Sequence, residues 1–87
     1  FILILRRQGC EIYYYLTKQR HEVDFLARDY ENKLTLYQVV WDINDKTTLD
    51  RELRALEEAQ KELGAEVKCK LITPENYFEE LNAERLG

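Results

Sequence analysis

The run HEVDFLARDYENKLTLYQVVWDI, His21–Ile43, decides the fold. Two alternating segments, His21–Arg28 and Leu34–Trp41, flank a polar connector, Asp29–Lys33. Alternation with a period of two, aromatic and β-branched residues and a short loop predict a β-hairpin. Symmetric pairing about the loop sets Arg28 opposite Leu34, and hence Asp24 opposite Gln38 and Glu22 opposite Val40. Directly opposed residues carry their Cβ atoms roughly 4.5–5.5 Å apart on one side of a sheet. The hairpin therefore aims a carboxylate and an amide at one point.

Upstream, Cys10, Ile12, Tyr14 and Leu16 alternate with Glu11, Tyr13 and Tyr15, which predicts a strand over Cys10–Leu16. The turn Thr17–Arg20 makes it the first strand of an antiparallel meander. Pairing Thr17 with Arg20 sets Tyr13 opposite Asp24 and Tyr15 opposite Glu22, on the face that holds Gln38. The other face collects Ile12, Tyr14, Val23, Phe25, Tyr37, Val39 and Trp41, and is the one expected to receive a helix. Phe1–Arg7 stays open: FILIL is β-prone, whereas Arg-Arg-Gln-Gly reads as a basic last turn and a C′ glycine.

Downstream, Asn44–Asp45 supplies N-cap chemistry. Leu49, Leu53, Leu56, Ala59 and Leu63 then recur at helical spacing over Lys46–Leu63, and Gly64 closes the helix. Glu66–Ile72 alternates again, and a strand returning after a helix predicts a parallel crossover onto the third strand. Thr73-Pro74-Glu75 reads as the start of a terminal helix carrying Tyr77, Phe78, Leu81 and Leu86 inward. The order (α)βββαβ(α) predicts an α/β fold around a four-stranded mixed sheet, order 1-2-3-4, flanked by helices. Its expected core is Val23, Phe25, Tyr37, Val39, Leu49, Leu53 and Leu56.

Composition narrows the functions. Eighty-seven residues make one small domain, and 45% hydrophobic with 34% charged residues is an ordinary globular balance. A net charge of −4 argues against a general polyanion binder, which needs clustered Lys and Arg. No apolar run approaches the roughly 20 residues of a membrane span, and no signal peptide is visible. Cys10 and Cys69 sit in alternating runs with no His or Cys at metal-ligand spacing, which fits reduced strand cysteines in a cytoplasmic protein. The chain has no Met and begins inside an apolar run, so it reads as a piece of a longer protein.

EIYYYLTK, HEVDFL and LYQVVWDI, followed by a long amphipathic helix, resemble the C-terminal, uncharacterised domain of a family of prokaryotic AAA-like ATP-binding proteins. That domain belongs by fold to the PD-(D/E)xK, restriction-endonuclease-like superfamily. The resemblance spans nearly all of residues 1–87 as a single domain, and its most specific part is Glu22–Phe25. It implies that Phe1–Gly9 is the end of a helix leading into the sheet, that a parent ATPase domain with its ATP lies elsewhere, and that the protein is bacterial. No Gly-rich phosphate loop occurs in this chain.

Active members of that superfamily place an Asp on the second strand and Glu-x-Lys on the third. Asp24 matches the first, but Gln38-Val39-Val40 stands in place of the second. The chemistry needs carboxylates around Mg²⁺, a hard cation that takes oxygen ligands, and a cation near the developing phosphate charge. Gln38 offers only a neutral amide oxygen and Val40 no donor at all. The resemblance thus implies a degenerate site at Asp24, Gln38 and Val40 with no catalytic residue, and a vestigial Mg²⁺ position at Asp24, Gln38 and Glu22.

Plainer readings stand beside these. Asp24 and Glu22 also fit a solvated strand face, His21 an exposed turn, and Lys68 and Lys70 a solvated edge. The three tyrosines could stack bases, although β-propensity and packing explain them. Three functions follow: a non-catalytic accessory domain serving its ATPase with a protein or nucleic-acid partner; an active Mg²⁺-dependent nuclease in which Lys68 or Lys70 has replaced the lost cation; or a purely structural module.

Overall fold

The computed structural model describes residues 2–77. Its elements run α1 (Ile2–Arg7), β1 (Glu11–Leu16), β2 (Glu22–Arg28), β3 (Leu34–Val39), α2 (Lys46–Leu63) and β4 (Lys68–Ile72). The four strands form one sheet in the order β1-β2-β3-β4, with β3 and β4 parallel and the other pairs antiparallel. A four-stranded mixed α/β sheet is therefore what the alternation predicted. Most of the expected terminal helix lies outside the described residues. At its start, Thr73 and Asn76 cap each other, Thr73 Oγ1 accepting from Asn76 N and Asn76 Oδ1 from Thr73 N.

The ambiguous N-terminal run is helical. It ends on Gly9, whose φ of 87° suits the left-handed position, with Gly9 N–H donating to Arg6 O and Cys10 N–H to Leu5 O. That bond pair is a Schellman closure, the helix end that Arg-Arg-Gln-Gly suggested. In α2, Asp45 is the N-cap and accepts from Thr48 N at 3.2 Å.

Both hairpin loops have the same form. Thr17 N–H donates to His21 O and Arg20 N–H to Thr17 O; Asp29 N–H donates to Lys33 O and Asn32 N–H to Asp29 O. Arg20 (φ 69°) and Asn32 (φ 65°) take the left-handed position that ends such three-residue loops. Asn favours that conformation, and the β2–β3 register follows as counted, from Arg28↔Leu34 to Phe25↔Tyr37. An arginine there gives no such signal. The first loop closes on Thr17 and His21 rather than Thr17 and Arg20, which overturns the expected β1–β2 register.

That register also slips in mid-strand. Tyr13 pairs with Leu26 but Tyr15 with Val23, so Tyr14 alone spans Asp24 and Phe25. The extra residue is a β-bulge in β2, and it turns Val23 to the face opposite Phe25. Val23, Leu26 and Leu36 pack under Ala55, Leu56 and Ala59 of α2, joined by Tyr15, Leu34 and Leu71. On the other face, Phe25, Ala27, Tyr37 and Ile72 pack with Leu5 of α1 and with Ile12, Val39 and Tyr77.

The expected placement of α2 on the Phe25–Tyr37–Val39 face is therefore wrong; only Val23 of that set lies beneath it. Both faces of the sheet are covered, so an apolar face could not by itself say which helix it receives. Leu53, expected in the core, is 41% exposed, and Leu49 is half-buried. Trp41, assigned to a core face, lies beyond the end of β3 and is 81% exposed.

Candidate functional site

The site grows out of the point where β2 and β3 part. Beyond Phe25↔Tyr37 the backbone ladder stops, and side chains take over its hydrogen bonds. Gln38 Oε1 accepts from Asp24 N at 2.6 Å, while Asp24 Oδ2 accepts from Val39 N at 2.6 Å. Gln38 Nε2 donates to Glu22 O at 3.0 Å and to Glu52 O at 3.3 Å. One amide thus ties two main-chain groups of β2 to the first turns of α2. Asp24 and Gln38 are neighbours, but the expected Asp24↔Gln38 pair lies beyond the end of the ladder, and the amide and the carboxylate each bond a main-chain N–H rather than aim at one point.

Gln38 is completely buried, and Val40 is 2% exposed with its N–H bonded to Ile72 O at 2.8 Å. Both hydrogens of the Gln38 amide are spent, and its oxygen faces an N–H dipole. Glu22 is exposed and its carboxylate accepts from Tyr14; desolvation first, then this hydrogen bond and the Glu22 charge, raise the tyrosine pKa. The donor set Asp24, Gln38 and Glu22 fits a Mg²⁺ shell poorly, because the Gln38 oxygen is fully buried and turned to Asp24 N–H, one Asp24 oxygen is turned to Val39 N–H, and the Glu22 carboxylate is turned to Tyr14. Among the described residues, no group of three or more His, Cys, Asp and Glu side chains is arranged to hold a metal.

Glu52 belongs to this neighbourhood and was missed. Burial raises the pKa of its carboxyl, the Asp24 charge raises it further, the Arg51 guanidinium opposes this, and Glu22 adds to it. With His21, Glu22, Arg51, Ala55 and Arg20, Glu52 lines a cleft of about 300 Å³ between the β1–β2 loop and α2. A signal for it existed. Glu52, Leu56, Ala59 and Leu63 share the inward stripe of α2, so a carboxylate there points toward the sheet.

The β1–β2 loop is fastened to α2 by two further glutamates. His21 Nδ1 contacts Glu58 Oε2, and Glu62 accepts from Tyr15 Oη at 2.6 Å and Lys18 N at 2.8 Å. His21, read as an exposed turn residue, is instead half-buried and packed on the helix. Lys68 and Lys70 lie elsewhere. They line a second cleft, of about 340 Å³, with Leu5, Cys10, Ala27 and Tyr37 on the α1 side of the sheet. Gln38 reaches Glu52 of α2, on the opposite side. No family model, no curated protein and no solved structure matches the chain.

Proposed function

We propose that the chain is a non-catalytic accessory domain of restriction-endonuclease-like fold, carried by a larger bacterial ATP-binding protein of the AAA-like class and working in the cytoplasm. Its role is to set the parent ATPase domain against a protein or nucleic-acid partner. One observation carries the reading: the two positions where active relatives by fold would hold Glu and Lys are Gln38 and Val40, and both are scaffold here. Gln38 splices β2 to α2, and Val40 is buried with its N–H bonded to β4. Removing an oriented catalytic donor can cost about 10²–10³ in rate, and two are missing. The α1-side location of Lys68 and Lys70 weighs against either replacing the lost cation. No helix among the described residues is long and apolar enough to cross a membrane.

The test pairs a metal titration by calorimetry with a nuclease assay in Mg²⁺ and Mn²⁺, comparing the chain with Asp24→Asn. The expected result is no cleavage of DNA or RNA by either protein. Cleavage that the Asp24→Asn change abolishes would overturn the reading in favour of an active nuclease.

A further inference from the structure

The two edges of the sheet differ in kind. At one edge β4 presents Lys68 and Lys70 at alternate positions, a charge guard that discourages strand addition. At the other, β1 has the sequence EIYYYL, with no Lys and no Pro, and its bulged partner residues lie on β2. Tyr13, Tyr14 and Leu16 are exposed there, Tyr14 to 61%. The one charge in the strand, Glu11, is held by Arg28 at 2.8 Å and by the Tyr13 hydroxyl. An apolar, unguarded edge strand is a template for another strand.

We infer that the β1 edge pairs antiparallel with β1 of a second copy of this chain, joining two four-stranded sheets into one. The sequence selects the register. Opposed residues of an antiparallel pair point to the same face, so a two-fold axis through the sheet must relate residues of equal parity. Centring it on Tyr14 sets Tyr14 against itself, Ile12 against Leu16 and Tyr13 against Tyr15, apolar on apolar on both faces. The same register brings Glu11 of each copy opposite Thr17 and next to Lys18 of the other. Opposite charges therefore meet at both ends of the paired strands. Pairing through the β4 edges would instead bring lysine rows together. A pair made of six-residue strands buries less than the roughly 1,200 Å² of a standard stable interface, so the dimer is weak and dilutes apart. None of this depends on the nuclease-like reading, since β1 contributes no group to the Asp24–Gln38 contact.

Sedimentation equilibrium on the chain across a concentration series tests it, with Tyr14→Lys placing like charges on the axis and Trp41→Lys as an exposed control. The expected dissociation constant lies between about 1 μM and 1 mM, raised at least about tenfold by Tyr14→Lys and unchanged by Trp41→Lys. Amide exchange adds a measurement on the unaltered chain: amides within Ile12–Leu16 should gain protection on concentration. A chain monomeric at about 1 mM, a dimer indifferent to Tyr14→Lys, or amides whose protection ignores concentration would each overturn the inference. The first of these outcomes would leave the edge to a strand from another protein.

Discussion

Gln38 is the residue on which the β2–β3–α2 junction turns. Its amide satisfies Asp24 N–H and the Glu22 carbonyl, both beyond the end of the β2–β3 ladder, and also reaches the Glu52 carbonyl of α2. Gln38→Leu keeps the volume and strands those groups, and stranding buried polar groups costs about 1–3 kcal/mol each when no water reaches them. A loss of about 2–4 kcal/mol in urea unfolding is expected. Gln38→Glu is the more telling change. A glutamate keeps the acceptor but loses both donors, and sets a buried carboxylate against two carbonyls and beside Asp24. Its folded pKa is raised, so the variant should be least stable at neutral pH and recover as pH falls toward the ordinary glutamate range. Equal stability of Gln38→Glu and the unaltered chain at pH 7 would show that the amide is not needed. Counting along the hairpin from the Asp29–Lys33 loop was enough to place Asp24 and Gln38 as neighbours, one step past the last ladder pair, Phe25↔Tyr37. Where the amide points was not legible, because that depends on the strands parting and on a helix that begins eight residues later.

At the scale of elements, α2 shows what periodicity leaves undecided. Leu49, Leu53 and Leu56 all fit an apolar stripe, yet the side that meets the sheet is Ala55, Leu56 and Ala59. Small residues let the helix come close, and leucines flanking them are left at the rim. Leu56→Ala should therefore cost about 2–5 kcal/mol, the usual range for a buried leucine, while Leu53→Ala, at a position 41% exposed, should cost under about 1 kcal/mol. Chemical denaturation of the two variants checks the face directly, and a larger loss for Leu53→Ala would reverse it. The strand pattern misled for a related reason. Val23, Phe25, Leu26 and Ala27 are all buried, because β2 has a helix on each side and a bulge that shifts Val23 across the sheet. A bulge adds one residue without any sequence mark as firm as a glycine, so strict alternation placed Val23 on the wrong face.

At the scale of the whole molecule, one sheet joins two small cores, and the contacts that lock the α2 side come from far apart in sequence. Tyr15 and Glu62 are the clearest example, bonded across 47 positions with Lys18 N on the other carboxylate oxygen. Composition and alternation could supply the sheet order, because neighbouring strands are neighbours in sequence until the crossover. They could not supply this fastening, which depends on how the hairpin leans on the helix. Its signature lies in alkaline pH. Burial, and then the hydrogen bond and charge of Glu62, push the Tyr15 pKa up to about 12, above the usual value near 10. The sign follows from linkage: the folded state holds this proton more tightly, so the stability it contributes is intact below about pH 10 and is lost as pH climbs toward 12. At pH 7, Tyr15→Phe should cost about 0.5–1.5 kcal/mol for the missing hydrogen bond. Between pH 10 and 12 that deficit should shrink, since phenylalanine has no proton to lose and places no phenolate beside Glu62. Urea unfolding of both proteins over that range measures the difference, and a deficit that stays constant with pH would show that the Tyr15 hydroxyl is solvated and that the hairpin is held to α2 by packing alone.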